Sequence, residues 1–251
     1  MNEKNAPLVR GLKKEWRNNT LWSLLIYGVF FIVVTNLPFV TISWDLKFYL
    51  SIASSILGTS YILTIRDPKN YLGFIFGITS SALLGVQLWM LGTYDQSILY
   101  FLVFVPFQMR SYLNWRKAAL STEEEKPLVL HFLPLGKSLL AFGLVILFTA
   151  IDYWVLDSYL MPEASVFMKL LCGFVVGTAI IANFLLINRW VDSWIYWVVY
   201  SAATVVYAVL LNIPFTILLF IFFVIINGST GVKWIMMWRK QQKSRAIKKE
   251  L

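Results

Sequence analysis

The chain has 251 residues, of which 59% are hydrophobic and 17% are aromatic, whereas only 14% are charged. A soluble domain of this length carries about 25% charged and about 45–50% apolar residues, and a single soluble core cannot bury such a surplus of apolar side chains. The lipid bilayer is therefore the expected solvent for most of the chain, which excludes soluble enzymes and nucleic-acid-binding proteins. A single Cys and a single His also exclude disulfide scaffolds, Cys/His zinc sites and Cys–His nucleophile pairs.

Long apolar windows follow one another along the chain. A helix needs roughly 20 apolar residues to cross a hydrocarbon core about 30 Å thick. The windows that qualify are 21–40, 46–65, 71–91, 96–115, 134–153, 164–187, 191–211 and 214–236. The sequence therefore predicts an all-α multi-pass membrane protein with eight transmembrane helices. Residues 7–20 are predicted to form a short amphipathic helix on the membrane surface.

Lys and Arg are distributed unevenly between the two sides of the predicted membrane protein. With eight spans both chain ends lie on one side, and that side receives every Lys and Arg except Lys47 and Lys169. Cytoplasmic segments are enriched in these residues, so both termini are predicted to be cytoplasmic, in a plasma or inner cell membrane. The net charge of +9 is thus a topology signal, with anionic lipid as a candidate contact, and it indicates no nucleic-acid partner.

Two sparse patterns recur at one constant offset along the chain. Gly58-Thr59 falls on Gly177-Thr178, and Gln108 with Trp115 falls on Asn227 with Trp234. The Gly-Thr pairs are interpreted as close helix packing, and the shared offset predicts two parallel three-helix repeats joined by a linker helix, a plan found among transporters. The predicted segments are 1–45 (cytoplasmic N-terminal segment and extra transmembrane helix), 46–117 (first repeat), 118–163 (linker helix and loops), 164–236 (second repeat) and 237–251 (basic cytoplasmic tail).

No acidic residue lies in the middle of a predicted span, and Asp152 is placed at the end of the fifth. Ion-coupled pumps keep ionisable groups inside the membrane despite their cost, so the sequence favours passage without ion coupling, although backbone carbonyls remain a possible Na⁺ site. Membrane enzymes that build a metal site from several carboxylates are disfavoured for the same reason. No catalytic residue, metal ligand or cofactor is predicted.

Neutral polar and aromatic side chains do lie inside the spans. Trp194, Trp197 and Ser201 are spaced by three and four residues and share one helix face. Together with the amides of Gln108 and Asn227 they would form an aromatic slot for a flat polar heterocycle, with cation–π attraction for a charged ring. The alternatives are helix–helix packing for each amide and a lipid-facing belt for Trp194. The candidate binding residues are Trp194, Trp197, Ser201, Gln108, Asn227, Tyr112 and Gln87.

Several of these residues belong to longer motifs. The motifs are Asn70-Tyr71, the stretch from Gln108 to Trp115, Trp194-Ile195-Tyr196-Trp197, and Asn227-Gly228-Ser229 with Trp234. Through them residues 48–245 resemble the PnuC family of vitamin and nucleoside transporters, whose founding activity is nicotinamide riboside uptake. The family's WxxWxxxN pattern ends here in Ser201 instead of Asn, and Gln108 stands where an Asn is expected.

The resemblance implies a three-plus-one-plus-three helix core related to the sugar-transporting SWEET proteins, with an extra N-terminal helix. It implies facilitated, ion-uncoupled uptake of nicotinamide riboside for NAD biosynthesis, with trapping by a cytoplasmic kinase, and association into a homotrimer. Trp194, Trp197, Asn227 and Gln108 carry over as ligand contacts, and Ser201 carries over by position. The two departures leave thiamine, riboflavin and deoxynucleosides open as cargo. A membrane scaffold or an embedded enzyme is the alternative from another class.

Overall fold

The computed structural model describes residues 6–36, 45–120, 129–211 and 214–250, and this part of the chain is almost entirely helical. The helices are α1 (Ala6–Thr35), α2 (Leu46–Ile65), α3 (Gly73–Met90), α4 (Tyr94–Leu99), α5 (Val105–Leu120), α6 (Leu135–Val155), α7 (Val166–Ile187), α8 (Ser193–Leu210) and α9 (Pro214–Glu250). Two π-helical turns, Tyr100–Phe104 and Leu156–Leu160, join α4 to α5 and extend α6. The prediction of an all-helical protein is confirmed.

Within the described residues, six helices are long and apolar enough to cross a membrane. They are Leu46–Ile65, Gly73–Met90, Leu135–Leu160, Val166–Ile187, Ser193–Leu210 and Leu219–Arg245, and they overlap six of the predicted windows. The first window lies in α1, and the fourth is divided between α4, a π-helical turn and α5; neither is among these six helices. Residues 37–40 of the first window lie outside the described residues. The count of eight spans stays a prediction.

Both terminal helices are longer than the sequence predicts. Residues 7–20 belong to the single helix α1, where Leu12 is buried and the Asn19 side chain donates a hydrogen bond to the carbonyl of Leu63 at 3.3 Å. The predicted separate surface helix is therefore wrong. The basic segment 237–250 continues α9 as helix, since Lys, Arg, Gln and Ala are all good helix formers.

The fifth predicted span ends later than expected. The π-helical turn carries the α6 helix on to Leu160, so that Asp152 lies eight residues before the end of a candidate span rather than at its edge. The connection to α7 is held by Lys169, a buried side chain whose Nζ lies 2.6 Å from Asp157 Oδ1 and 2.7 Å from the carbonyl oxygen of Pro162. These contacts lie in the connection between the fifth and sixth predicted windows.

The contacts divide the chain into two compact units, Met1–Glu124 and Glu125–Leu251. In the first unit, small polar side chains lie where helices cross. Ser23 Oγ donates to the carbonyl of Ile56 at 2.6 Å and joins α1 to α2, whereas Ser80 Oγ donates to the carbonyl of Ser54 at 2.6 Å and joins α3 to α2. Such hydrogen bonds and close contacts hold helices together in lipid, where the hydrophobic effect between them is weak.

In the second unit, glycines bring α6 and α7 together. A Cβ atom at Gly173 would lie 2.6 Å from the carbonyl oxygen of Thr149, and one at Gly177 would lie 2.8 Å from that of Val145. Neither backbone atom can move aside, so both positions require glycine. The predicted linker helix α6 thus packs directly on α7, and the close-packing interpretation of Gly177 is supported.

Candidate functional site

The second unit brings together three of the predicted binding residues on α8 and α9. Asn227 Nδ2 donates to Ser201 Oγ at 3.1 Å and makes a longer contact of 3.4 Å with the carbonyl oxygen of Trp197. Ser201 Oγ in turn donates to the same carbonyl oxygen at 2.8 Å. We call the group of Trp194, Trp197, Ser201 and Asn227 the amide–indole cluster.

The indole of Trp194 packs between α8 and α9. Its ring meets that of Trp234 edge to face at a centroid distance of 5.3 Å, and Gly231 leaves room for it, since a Cβ there would lie 3.2 Å from Trp194 Cβ. Trp194 is only 1% exposed, so the lipid-facing belt is wrong for this residue. Trp197 is 8% exposed and packs edge to face on Tyr200.

The amide–indole cluster contains hydrogen-bonding atoms that the protein does not use. Within the described part of the chain, the Nε1–H group of Trp194 and the Oδ1 atom of Asn227 are buried and have no hydrogen-bond partner. Leaving such atoms unsatisfied costs about 1–3 kcal/mol each, and native proteins rarely do so without a reason. One spare donor and one spare acceptor are what a ligand with both kinds of group can satisfy.

Gln108 has a comparable environment in the first unit. Its Nε2 donates to Ser81 Oγ at 3.1 Å, and the side chain is 2% exposed. Gly77 makes the space, because a Cβ at this position would lie 2.8 Å from Gln108 Oε1 and 2.9 Å from the Tyr61 ring. The two candidate amides therefore lie in different units, each with a serine partner, and the shared slot stays a prediction.

The remaining two candidates lie elsewhere in the first unit. Gln87 on α3 is half-buried, and its Oε1 atom has no hydrogen-bond partner among the described residues. Tyr112 on α5 is half-buried and packs edge to face on Tyr71 at 5.7 Å, so that it contacts the Asn70-Tyr71 motif. Neither residue joins the Gln108–Ser81 hydrogen bond.

Sequence reasoning missed the partners of Gln108, namely Ser81, Gly77 and Tyr61. The structure shows a recurrence that the sequence does not: in each unit a buried amide bonds to a serine of the preceding long helix. An edge-to-face aromatic pair also recurs, as Phe74 with Trp115 and as Trp194 with Trp234. A single Ser or Gly in an apolar helix carries no such signal by itself.

Charged groups lie near the start of α8 and outside the amide–indole cluster. Burial lowers the pKa of Arg189 to about 10, and this residue has the left-handed backbone angle φ of 57°. Burial also raises the pKa of Asp192, against the effect of the hydrogen bond that its Oδ2 accepts from the Leu133 backbone N–H at 2.8 Å. In the described residues, no group of three or more His, Cys, Asp and Glu side chains could hold a metal ion.

These features define the class: a multi-pass helical membrane protein with an uncharged, partly unsatisfied polar cluster buried between helices. The sequence profile of the nicotinamide mononucleotide transporter family matches residues 48–236, and the chain belongs to this family, the PnuC family. The crystal structure of the vitamin B3 transporter PnuC has the same fold, with a TM-score of 0.66 over 88% of this chain and 92% of that chain at 18% identity. A comparison with curated protein sequences gives no match. The predicted family is confirmed.

Proposed function

We propose that this PnuC-family membrane transporter carries nicotinamide riboside and binds it at the amide–indole cluster. The observation that supports this most strongly is the buried spare donor on Trp194 together with the buried spare acceptor on Asn227. The carboxamide of nicotinamide offers the complementary pair, an NH₂ donor and a carbonyl acceptor. Its pyridinium ring is a flat cation, which indole faces attract.

The absence of charge in the cluster favours the riboside over the mononucleotide that the family's name gives. The four side chains that form the cluster are neutral, so none of them compensates the charge of a phosphate. Burying a phosphate without a cationic partner is expensive, and proteins normally pair it with Arg or Lys. A phosphorylated product that the cluster rejects would stay inside the cell, which fits trapping by a cytoplasmic kinase.

The two serine-paired amides support the proposed repeat. We propose that Gln108 and Asn227 are equivalent positions of two parallel three-helix repeats, and that Gln108, Gln87 and Tyr112 are further cargo-contacting residues. Both chain ends lie in the cytoplasm on this proposal, because that side then receives all but two of the Lys and Arg residues. Association into a homotrimer belongs to the proposal as a family trait.

Ion-uncoupled passage is proposed because all four side chains of the amide–indole cluster stay neutral at physiological pH. Asp152 is the carboxylate that this proposal must account for, since it lies half-buried within the candidate span Leu135–Leu160. Ionisable groups in spans are often functional. Replacing Asp152 by Asn tests whether its charge takes part in transport.

Equilibrium binding to the purified protein tests the cargo. The affinity would be measured, by tryptophan fluorescence or with a radioligand, for nicotinamide riboside, its mononucleotide, thiamine, riboflavin and a deoxynucleoside. Binding of the riboside at micromolar concentration, with at least about a hundred-fold weaker binding of the mononucleotide, is expected. Preferred binding of another vitamin would keep the transporter class and replace the cargo, and binding of none would favour a scaffold.

A further inference from the structure

A basic groove runs along α1, and none of the candidate cargo residues lines it. It has a volume of about 720 Å³ and lies between α1 and Phe76 of α3. Four cations line it: Arg10, Lys13, Lys14 and Arg17. Their spacing of three and four residues places them along one side of the helix.

The groove has an aromatic wall. Trp16 and Phe76 both line it, and their rings are stacked at a centroid distance of 4.8 Å with an interplanar angle of 18°. Trp16 Nε1–H is buried and donates no hydrogen bond within the described residues. The wall therefore adds an unused donor to the four cations.

Among the described residues, no carboxylate lines the groove. Glu15 is the acidic residue of the stretch 10–21, and its Oε2 accepts a hydrogen bond of 3.2 Å from Asn70 Nδ2 rather than lining the groove. The four cationic residues are exposed. An anion is the complementary occupant.

The groove continues into an apolar surface. Thr20 and Leu21 form its far end, and the same side of α1 goes on through Leu24 and Leu25, which are 48% and 58% exposed. A molecule that matches this surface has a negative head and an apolar tail. Free phosphate would use the cations and leave the apolar continuation uncovered.

We propose that this groove, which we call the α1 groove, binds the phosphate headgroup of an anionic glycerophospholipid, with the acyl chains lying along α1 beyond Leu21. Clusters of four or more Lys and Arg beside a membrane-spanning segment attract anionic lipid, each adding to the affinity. The inference does not depend on the identity of the cargo.

The test is thermal melting of the full chain in detergent, with added lipid. Short-chain phosphatidylglycerol should raise the melting temperature in a saturable way, whereas phosphatidylcholine of the same chain length and sodium phosphate should not. In the variant that combines Arg10→Gln, Lys13→Gln, Lys14→Gln and Arg17→Gln, the half-saturating concentration should rise at least about ten-fold.

A matched control removes the same charge from α9. It combines Arg239→Gln, Lys240→Gln, Lys243→Gln and Arg245→Gln, all exposed side chains, and it should respond to phosphatidylglycerol as the unmodified protein does. The milder pair Lys14→Gln with Arg17→Gln should shift the half-point in the same direction and serves if the fourfold variant does not fold. An unchanged half-point in the groove variants, an equal loss in the α9 control, or an equal effect of sodium phosphate would overturn the proposal.

Discussion

Replacing Asn227 by Leu separates the binding role of this amide from its packing role. Leu has a similar size and cannot form hydrogen bonds, so the change removes the 3.1 Å bond to Ser201 Oγ and the spare Oδ1 acceptor. The structural cost should be small, because Ser201 Oγ keeps its 2.8 Å bond to the Trp197 carbonyl oxygen. Interhelical hydrogen bonds in membranes average about 0.6 kcal/mol, and we expect about 1 kcal/mol or less.

The expected loss of binding is larger. A carboxamide NH₂ that is buried without its acceptor costs about 1–3 kcal/mol, which weakens nicotinamide riboside binding by about 5-fold to about 150-fold. Equilibrium binding and thermal melting should be measured on the same preparation. Asn183→Leu is the matched control, because Asn183 is a buried amide in the same unit that bonds within its own helix, to the carbonyl of Ala179 at 2.9 Å. This control should show a similar change in melting temperature and unchanged affinity.

A double variant sharpens the distinction. Combining Asn227→Leu with Ser201→Ala removes both partners of the hydrogen bond, which can be nearly neutral for stability, so the melting temperature should stay close to that of the single variant. Affinity should stay as low as in the single variant. If Asn227→Leu binds nicotinamide riboside within two-fold of the unmodified protein, the amide is a packing contact and the proposed role of the cluster is refuted.

Four further outcomes follow from the same structure. Trp197→Ala should abolish riboside binding with a near-normal yield of folded protein, and retained affinity would make the indole a packing residue. Ser201→Asn should raise riboside affinity if the cargo has drifted from it, and an unchanged value would remove the residue from the site. Gly77→Ala should lower stability by about 1–3 kcal/mol through overpacking, whereas Gly143→Ala, which has nothing within 4 Å of its added Cβ, should not. Uptake into liposomes should be unaffected by collapse of the proton and sodium gradients and by Asp152→Asn, and a strong dependence on either would overturn ion-uncoupled passage.

Much of the fold could be predicted because apolar runs in a membrane protein mark helices directly. Windows such as 164–187 need no partner to be recognised, since the backbone hydrogen bonds of a helix are internal. Helix ends were less predictable: the window 134–153 placed Asp152 at the end of a span, whereas a π-helical turn carries α6 on to Leu160. Good helix formers likewise continue α9 through its basic segment.

The site could be predicted in part. The four-residue spacing of Trp197 and Ser201 predicted that they share one helix face. The constant offset that aligns Gln108 with Asn227 indicated that Asn227 belongs to the site. The environment of Gln108 could not be predicted, because it depends on the space over Gly77 and on one serine of a neighbouring helix. Such contacts arise from three-dimensional packing and leave no periodic pattern in the sequence.

Uptake by the purified protein in liposomes tests the central claim most directly. Labelled nicotinamide riboside and labelled nicotinamide mononucleotide would be supplied at equal concentration, without ion gradients, to vesicles with and without the protein. The account predicts protein-dependent equilibration of the riboside, competed by unlabelled riboside, and no uptake of the mononucleotide above that of empty vesicles. Uptake of the mononucleotide at a rate equal to or above that of the riboside would contradict it.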